Sequence, residues 1–182
     1  MNPFKTIDNY VMEGVGVVNY FWNKTTGRTP VGLAQTCFSI SILSHTANGL
    51  NETPPDYFNG ALNMFSLGVV LGIIEVLPSL KKKDFGILPG IITTYFGFLG
   101  YFAAAAAIKE IISPNNQDAH EIAWHTPRIL SLSIESLGAF TAATLGNRPR
   151  KTRFEQDVEK LQQLVADYQE RIRPEPAIGT TN

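Results

Sequence analysis

Three ionisable side chains stand in stretches that otherwise carry no charge: His45, Glu75 and Glu135. Nothing from Thr29 to Asn51 is charged, Glu75 is the only charge between Asp56 and Lys81, and Glu135 is the only one between Arg128 and Arg148. A carboxylate in hydrocarbon costs at least ~2.5 kcal/mol, so it persists only where it is partnered, protonated or wetted. Glu75 lies two turns before Lys81, Lys82 and Lys83 and is within reach of an interface. Counted at ~1.5 Å per residue, His45 is ~22 Å beyond Pro30 and Glu135 is ~18 Å before Asn147. That puts the two at nearly one depth on the first and last of the uncharged stretches. They are expected to pair across two helices, where opposite charges stabilise each other. Such a pair has two uses: to relay protons or bind a cation, or to fix helix packing. Packing makes fewer demands.

Other chemistries find less support. Asp118, His120, Glu121 and His125 lie near Glu52 and Asp56, and histidines with carboxylates can hold zinc. The spacing misses H-E-x-x-H by one residue, so a solvated acidic loop is expected and no metal. His45 is the only histidine well inside an uncharged stretch, which argues against a haem held by two histidines. No nucleophile elbow, phosphate loop or dinucleotide fingerprint occurs, so neither enzyme activity nor a cofactor is expected. Cys37 is the single cysteine, which excludes an internal disulfide.

The elements that must carry these residues follow from the distribution of charge. Charged residues make up 17% of the 182-residue chain, below the roughly 25% of soluble domains. They fall in blocks. A soluble helix shows water a polar face on every turn, whereas the four uncharged stretches each approach the ~20 residues that cross a bilayer. The expected fold is all-α: a polytopic membrane protein with a four-helix transmembrane bundle over 29–147 and spans at about 30–50, 57–80, 85–108 and 127–147. Thr29-Pro30 and Thr126-Pro127 each read as a capping hydroxyl followed by a first-turn proline. The first span is the most polar and should face other helices. A soluble all-helical protein is the competing architecture, because the average hydropathy is near neutral. Small residues four apart (Gly68 and Gly72, Gly86 and Gly90, Ala103 and Ala107, Ala139 and Ala143) are candidate helix contacts.

Residues 1–28 hold an N-terminal amphipathic helix, with Ile7, Tyr10, Val11, Val15, Val18, Phe21 and Trp22 at helical spacing. It is expected to lie at the membrane interface with Trp22 at headgroup depth, or to pack on the bundle. Lys5, Asp8 and Glu13 interrupt any apolar signal segment, so the first span is expected to act as the insertion signal.

After the bundle comes a basic collar, Arg148, Arg150, Lys151 and Arg153. With Lys81, Lys82 and Lys83 it is a candidate contact for lipid headgroups. Phe154, Val158, Leu161, Val165, Tyr168 and Ile172 then recur in steps of four and three, the seam of a coiled-coil-like helix over 148–173. Residues 174–182 read as a disordered tail. Ten basic residues (Lys5, Lys24, Arg28, the three lysines and the collar) fall on one side of a four-span topology, against Lys109 and Arg128 on the other. Basic residues stay in the cytoplasm, so both termini are expected there. The net charge of −1 gives no basic field for nucleic acid. The expected partners are the bilayer and, through the last helix, a second copy or another protein. The expected role is structural or anchoring, with a small proton or cation transporter using Glu135, Glu75 and His45 as the alternative.

Overall fold

The computed structural model describes residues 3–51, 54–83, 85–112, 119–145 and 153–172. These form six helices and no strand among the described residues: α1 Pro3–Thr26, α2 Pro30–Leu50, α3 Tyr57–Lys82, α4 Leu88–Ile112, α5 Ala119–Leu145 and α6 Arg153–Arg171. The chain divides into two compact units, Met1–Arg150 and Lys151–Asn182. Arg148, Arg150, Lys151 and the tail 174–182 lie outside the described residues.

Local chemistry sets the helix ends. Thr29 Oγ1 accepts the Gly32 amide at 3.5 Å and Pro30 takes the first helical position, where its missing N–H costs nothing. Asp56 caps α3, accepting from the Asn59 amide at 3.0 Å. Gly86 takes a left-handed φ of 58° in the turn before α4, a conformation that suits a residue without Cβ.

Two readings of the sequence need correction. Thr126-Pro127 does not begin the last helix of the bundle: α5 starts at Ala119 and contains Pro127. A proline inside a helix forfeits one backbone bond, a local loss that the flanking turns can tolerate. Gly86 and Gly90 do not form one stripe, because Gly86 precedes α4.

In the first unit, α5 pairs extensively with α4 and with α2, and α2 pairs with α3. The contacts run in the order α4, α5, α2, α3, and α3 meets α4 only sparsely although the two are consecutive. Helix α1 lies against α5 and α2. Val15 is buried, Met12 packs on the core, and Tyr101 Oη donates to Asp8 Oδ1 at 3.1 Å. Of the rest of its apolar set, Ile7, Tyr10, Val18 and Phe21 are exposed, and Val11 and Trp22 are half-buried.

The core gathers Ala34 and Phe38 of α2, Ile74 of α3, Phe96 of α4, and Ala139, Ala142 and Ala143 of α5. Phe38 and Phe96 meet with ring centroids 5.8 Å apart. Small residues allow the close approaches. A Cβ on Gly138 would stand 2.7 Å from Cys37 Cβ, and one on Gly100 would stand 2.9 Å from the Phe140 ring. Ala103, Ala107, Ala139 and Ala143 are all buried. Gly68, Gly72 and Gly90 face open space.

Among the described residues, α3 and α4 are the two helices long and apolar enough to cross a membrane. Among α2 to α5 they are also the least covered. In their most apolar stretches, 22% of α3 and 28% of α4 are buried. The exposed positions of α3 from Tyr57 to Val76 include Phe58, Leu62, Phe65 and Val69, with Glu75 as the one charge. Those of α4 from Leu88 to Ile108 include Ile91, Tyr95, Phe98 and Phe102 and hold no charge. Helix α2 is less apolar than α3 and α4, yet its exposed positions are Ile40, Leu43, Ala47 and Leu50. From Ile134 to Leu145, α5 has no exposed residue.

Candidate functional site

The polar residues of α2 and α5 meet where the two helices pack. Ser41 and His45 are four residues apart on α2, and Ser131 and Glu135 are four apart on α5. At that spacing each pair shares one helix face. His45 Nε2 lies 3.8 Å from Glu135 Oε2. That distance suits an ion pair once the imidazole is protonated but is too long for a hydrogen bond.

Two serines make the connection instead. Ser41 Oγ donates to Glu135 Oε2 at 3.0 Å and lies 3.2 Å from Ser131 Oγ. Ser131 Oγ in turn lies 3.3 Å from His45 Nε2 and 3.4 Å from the Ser41 carbonyl. With a proton on Nε2, the donors run in one sense: imidazole to Ser131, Ser131 to Ser41, Ser41 to carboxylate. Both serines are buried, whereas the side chains of His45 and Glu135 keep 38% and 21% of their surface. The network is therefore satisfied inside the helix pair and open at its titratable ends.

Glu75 stands elsewhere. Its Oε2 accepts from Gln35 Nε2 at 2.9 Å, a bond between α3 and α2. A further interhelical bond joins α5 to α4, where Ser136 Oγ donates to the Gly100 carbonyl at 3.0 Å. At the far end of the same helix pair, Arg128 Nε lies 3.4 Å from Glu110 Oε1.

The sequence reading named His45, Glu75 and Glu135 but not Ser41, Ser131 or Gln35. The serines carried a signal in their four-residue spacing from His45 and Glu135, and it was lost among the many small polar residues of α2. Lys81 and Lys82 end α3, and Lys83 caps it. Arg153 begins α6. No group of three or more histidine, cysteine or acidic residues among the described residues could hold a metal. Of the acidic outer residues, Glu52 and Asp118 lie outside the described residues.

In the second unit, α6 carries the predicted seam. Leu161, Val165, Tyr168 and Ile172 are exposed, as is Leu164 beside them, while Phe154 and Val158 are half-buried. No family model, curated protein or solved structure matches the chain.

Proposed function

We propose that this chain is a multi-pass membrane protein whose spans, α2 to α5, form an anchor, with both termini in the cytoplasm and α6 offered there to a protein partner. One observation carries this reading. The most apolar helices, α3 and α4, expose more apolar residues than they bury, while Ser41 and His45 of α2 meet Ser131 and Glu135 of α5. Exposed apolar surface on this scale marks a membrane or an interface. The uncharged outer stripe of α2 extends the belt to a helix too polar on average to qualify by itself. The bias of basic residues toward one set of helix ends supports the orientation.

The anchoring role is supported by the hydrogen bonding that joins α2 to α5 through the two buried serines, Ser41 and Ser131. A satisfied buried network specifies packing. Its expected duty is to hold α2 and α5 in register. Fractionation tests the membrane assignment: the chain stays in the pellet in alkaline carbonate and leaves it in detergent. Release by carbonate would end the reading. Orientation is read with an impermeant maleimide on single cysteines in a Cys37→Ser background. Thr26→Cys, Lys83→Cys and Gln162→Cys are expected to react from one side, and Pro54→Cys from the other.

A second reading is favoured by the exposed ends of the network. A chain of hydroxyls between an imidazole and a carboxylate can pass protons, so a small proton or cation transporter is the alternative. Flux into liposomes carrying the wild type or Glu135→Gln tests it. Equal flux at background level would remove it.

A further inference from the structure

We propose that the partner of α6 is a second copy of this chain, the two helices lying parallel and in register. This rests on the reading of α6 as a presented helix and names what it binds. The seam divides into two sets. Val158, Val165 and Ile172 occupy one core position of the heptad, and Phe154, Leu161 and Tyr168 the other. Every residue of the first set is β-branched and none of the second is. Branched residues at the first position with leucine at the second favour two parallel strands over three or four, and Leu161 holds the middle of the second set between the aromatic Phe154 and Tyr168. Helical hydrogen bonding reaches the last seam residue, since the Ile172 amide donates to the Tyr168 carbonyl at 3.2 Å.

The flanking positions agree. In a parallel pair, Asp157 faces Gln162 of the other helix, and Leu164 faces Gln169, so no like charges meet. Leu164, exposed in one copy, gains apolar cover from the neighbouring seam. Charge speaks against lipid as the occupant of this face. Within α6, Glu155, Asp157, Glu159, Asp167 and Glu170 outnumber Arg153, Lys160 and Arg171, and anionic headgroups repel such a helix.

The seam covers fewer than three heptads, and a helix that short is marginal in water. Confinement of two copies to one membrane raises their effective concentration and makes up for the short seam. Self-pairing is accordingly a property of the full chain in its membrane.

The test is disulfide trapping of the full-length chain in membranes, in a Cys37→Ser background. Ile172→Cys is expected to convert most of the chain to a band of twice the mass under mild oxidation. Gln163→Cys, on the opposite face, should stay at single mass. Adding Val165→Asp to Ile172→Cys should cut the trapped band at least tenfold while the chain remains in the carbonate pellet. Single mass for Ile172→Cys with the chain in the pellet would overturn the pairing and leave the anchor standing. Equal trapping at Ile172→Cys and Gln163→Cys would also overturn it. Release from the pellet with trapping at Ile172→Cys intact would support the pairing and remove the anchor.

Discussion

The α2–α5 contact and the outer faces of α3 and α4 have exchanged the roles they would hold in a water-soluble protein. Inside lie serines, a histidine and a carboxylate, close-packed through Gly138 and the alanines of α5. Outside lie phenylalanines, tyrosines and aliphatic residues. Water rewards burying apolar surface, so a soluble fold places its most apolar helices at the centre. Lipid gives no such reward, and helices then associate through small residues and hydrogen bonds. The comparison teaches that a helix's average hydropathy and its position in a bundle can be inversely related. In α2 the polar residues are an interior inventory, and the outward stripe of Ile40, Leu43, Ala47 and Leu50 is what a solvent meets.

Substitutions can break or sharpen this contrast. The largest effect is expected from a charge on the outer face. Val69→Arg on α3 should lose about 2.5–3.5 kcal/mol of insertion free energy, seen as loss of membrane-integrated chain. An exposed position on a soluble protein would tolerate the same change within about 0.5 kcal/mol. Next comes overpacking of the inner contact. Gly138→Ala forces its methyl against Cys37 and should destabilise the bundle by about 1–3 kcal/mol. Gly72→Ala, with open space around it, should instead be neutral or stabilising by up to about 1 kcal/mol. Denaturation of the two variants in mixed detergent, followed by helical circular dichroism, measures the difference.

Within the network, Ser41→Ala removes the hydroxyl donor that Glu135 receives from α2, at a cost of about 1.5 kcal/mol. Ser133→Ala serves as the control, since Ser133 is exposed and donates only to the Ile129 carbonyl of its own helix. The smallest effect belongs to Gln35→Ala. Its bond to Glu75 lies at the bundle surface and should contribute about 0.5–1 kcal/mol to the same denaturation curve.

The all-helical fold and the two long apolar helices, α3 and α4, were legible because charge is excluded from long stretches, a feature that any single sequence displays. The Thr29-Pro30 cap was legible for the same kind of reason, as both residues act within one turn. The common depth of His45 and Glu135 followed from counting rise per residue, without any knowledge of helix order. What counting could not supply was rotation. Whether Gly68 and Gly72 face a neighbour depends on which way α3 turns, and they face open space. The tight approaches fall at Gly100 and Gly138, each followed four residues on by an alanine, Ala104 and Ala142, a spacing too common in these helices to single them out. The serines that join His45 to Glu135 were hidden for a related reason: serine is common in such helices, and only the partner helix shows which ones matter. The start of α5 ahead of Pro127 was missed because local cap chemistry also fits a site that the helix passes through.

The central claim is that the outer faces of α3 and α4 meet lipid. Single cysteines replacing Phe65, Val69, Tyr95 and Phe98, in a Cys37→Ser chain, can be challenged in native membranes with a membrane-impermeant maleimide. All four are expected to stay unlabelled while Gln162→Cys on α6 reacts fully once the cytoplasmic side is opened. Labelling of the four at the rate of Gln162→Cys would mean that water covers those faces, and the account would fail.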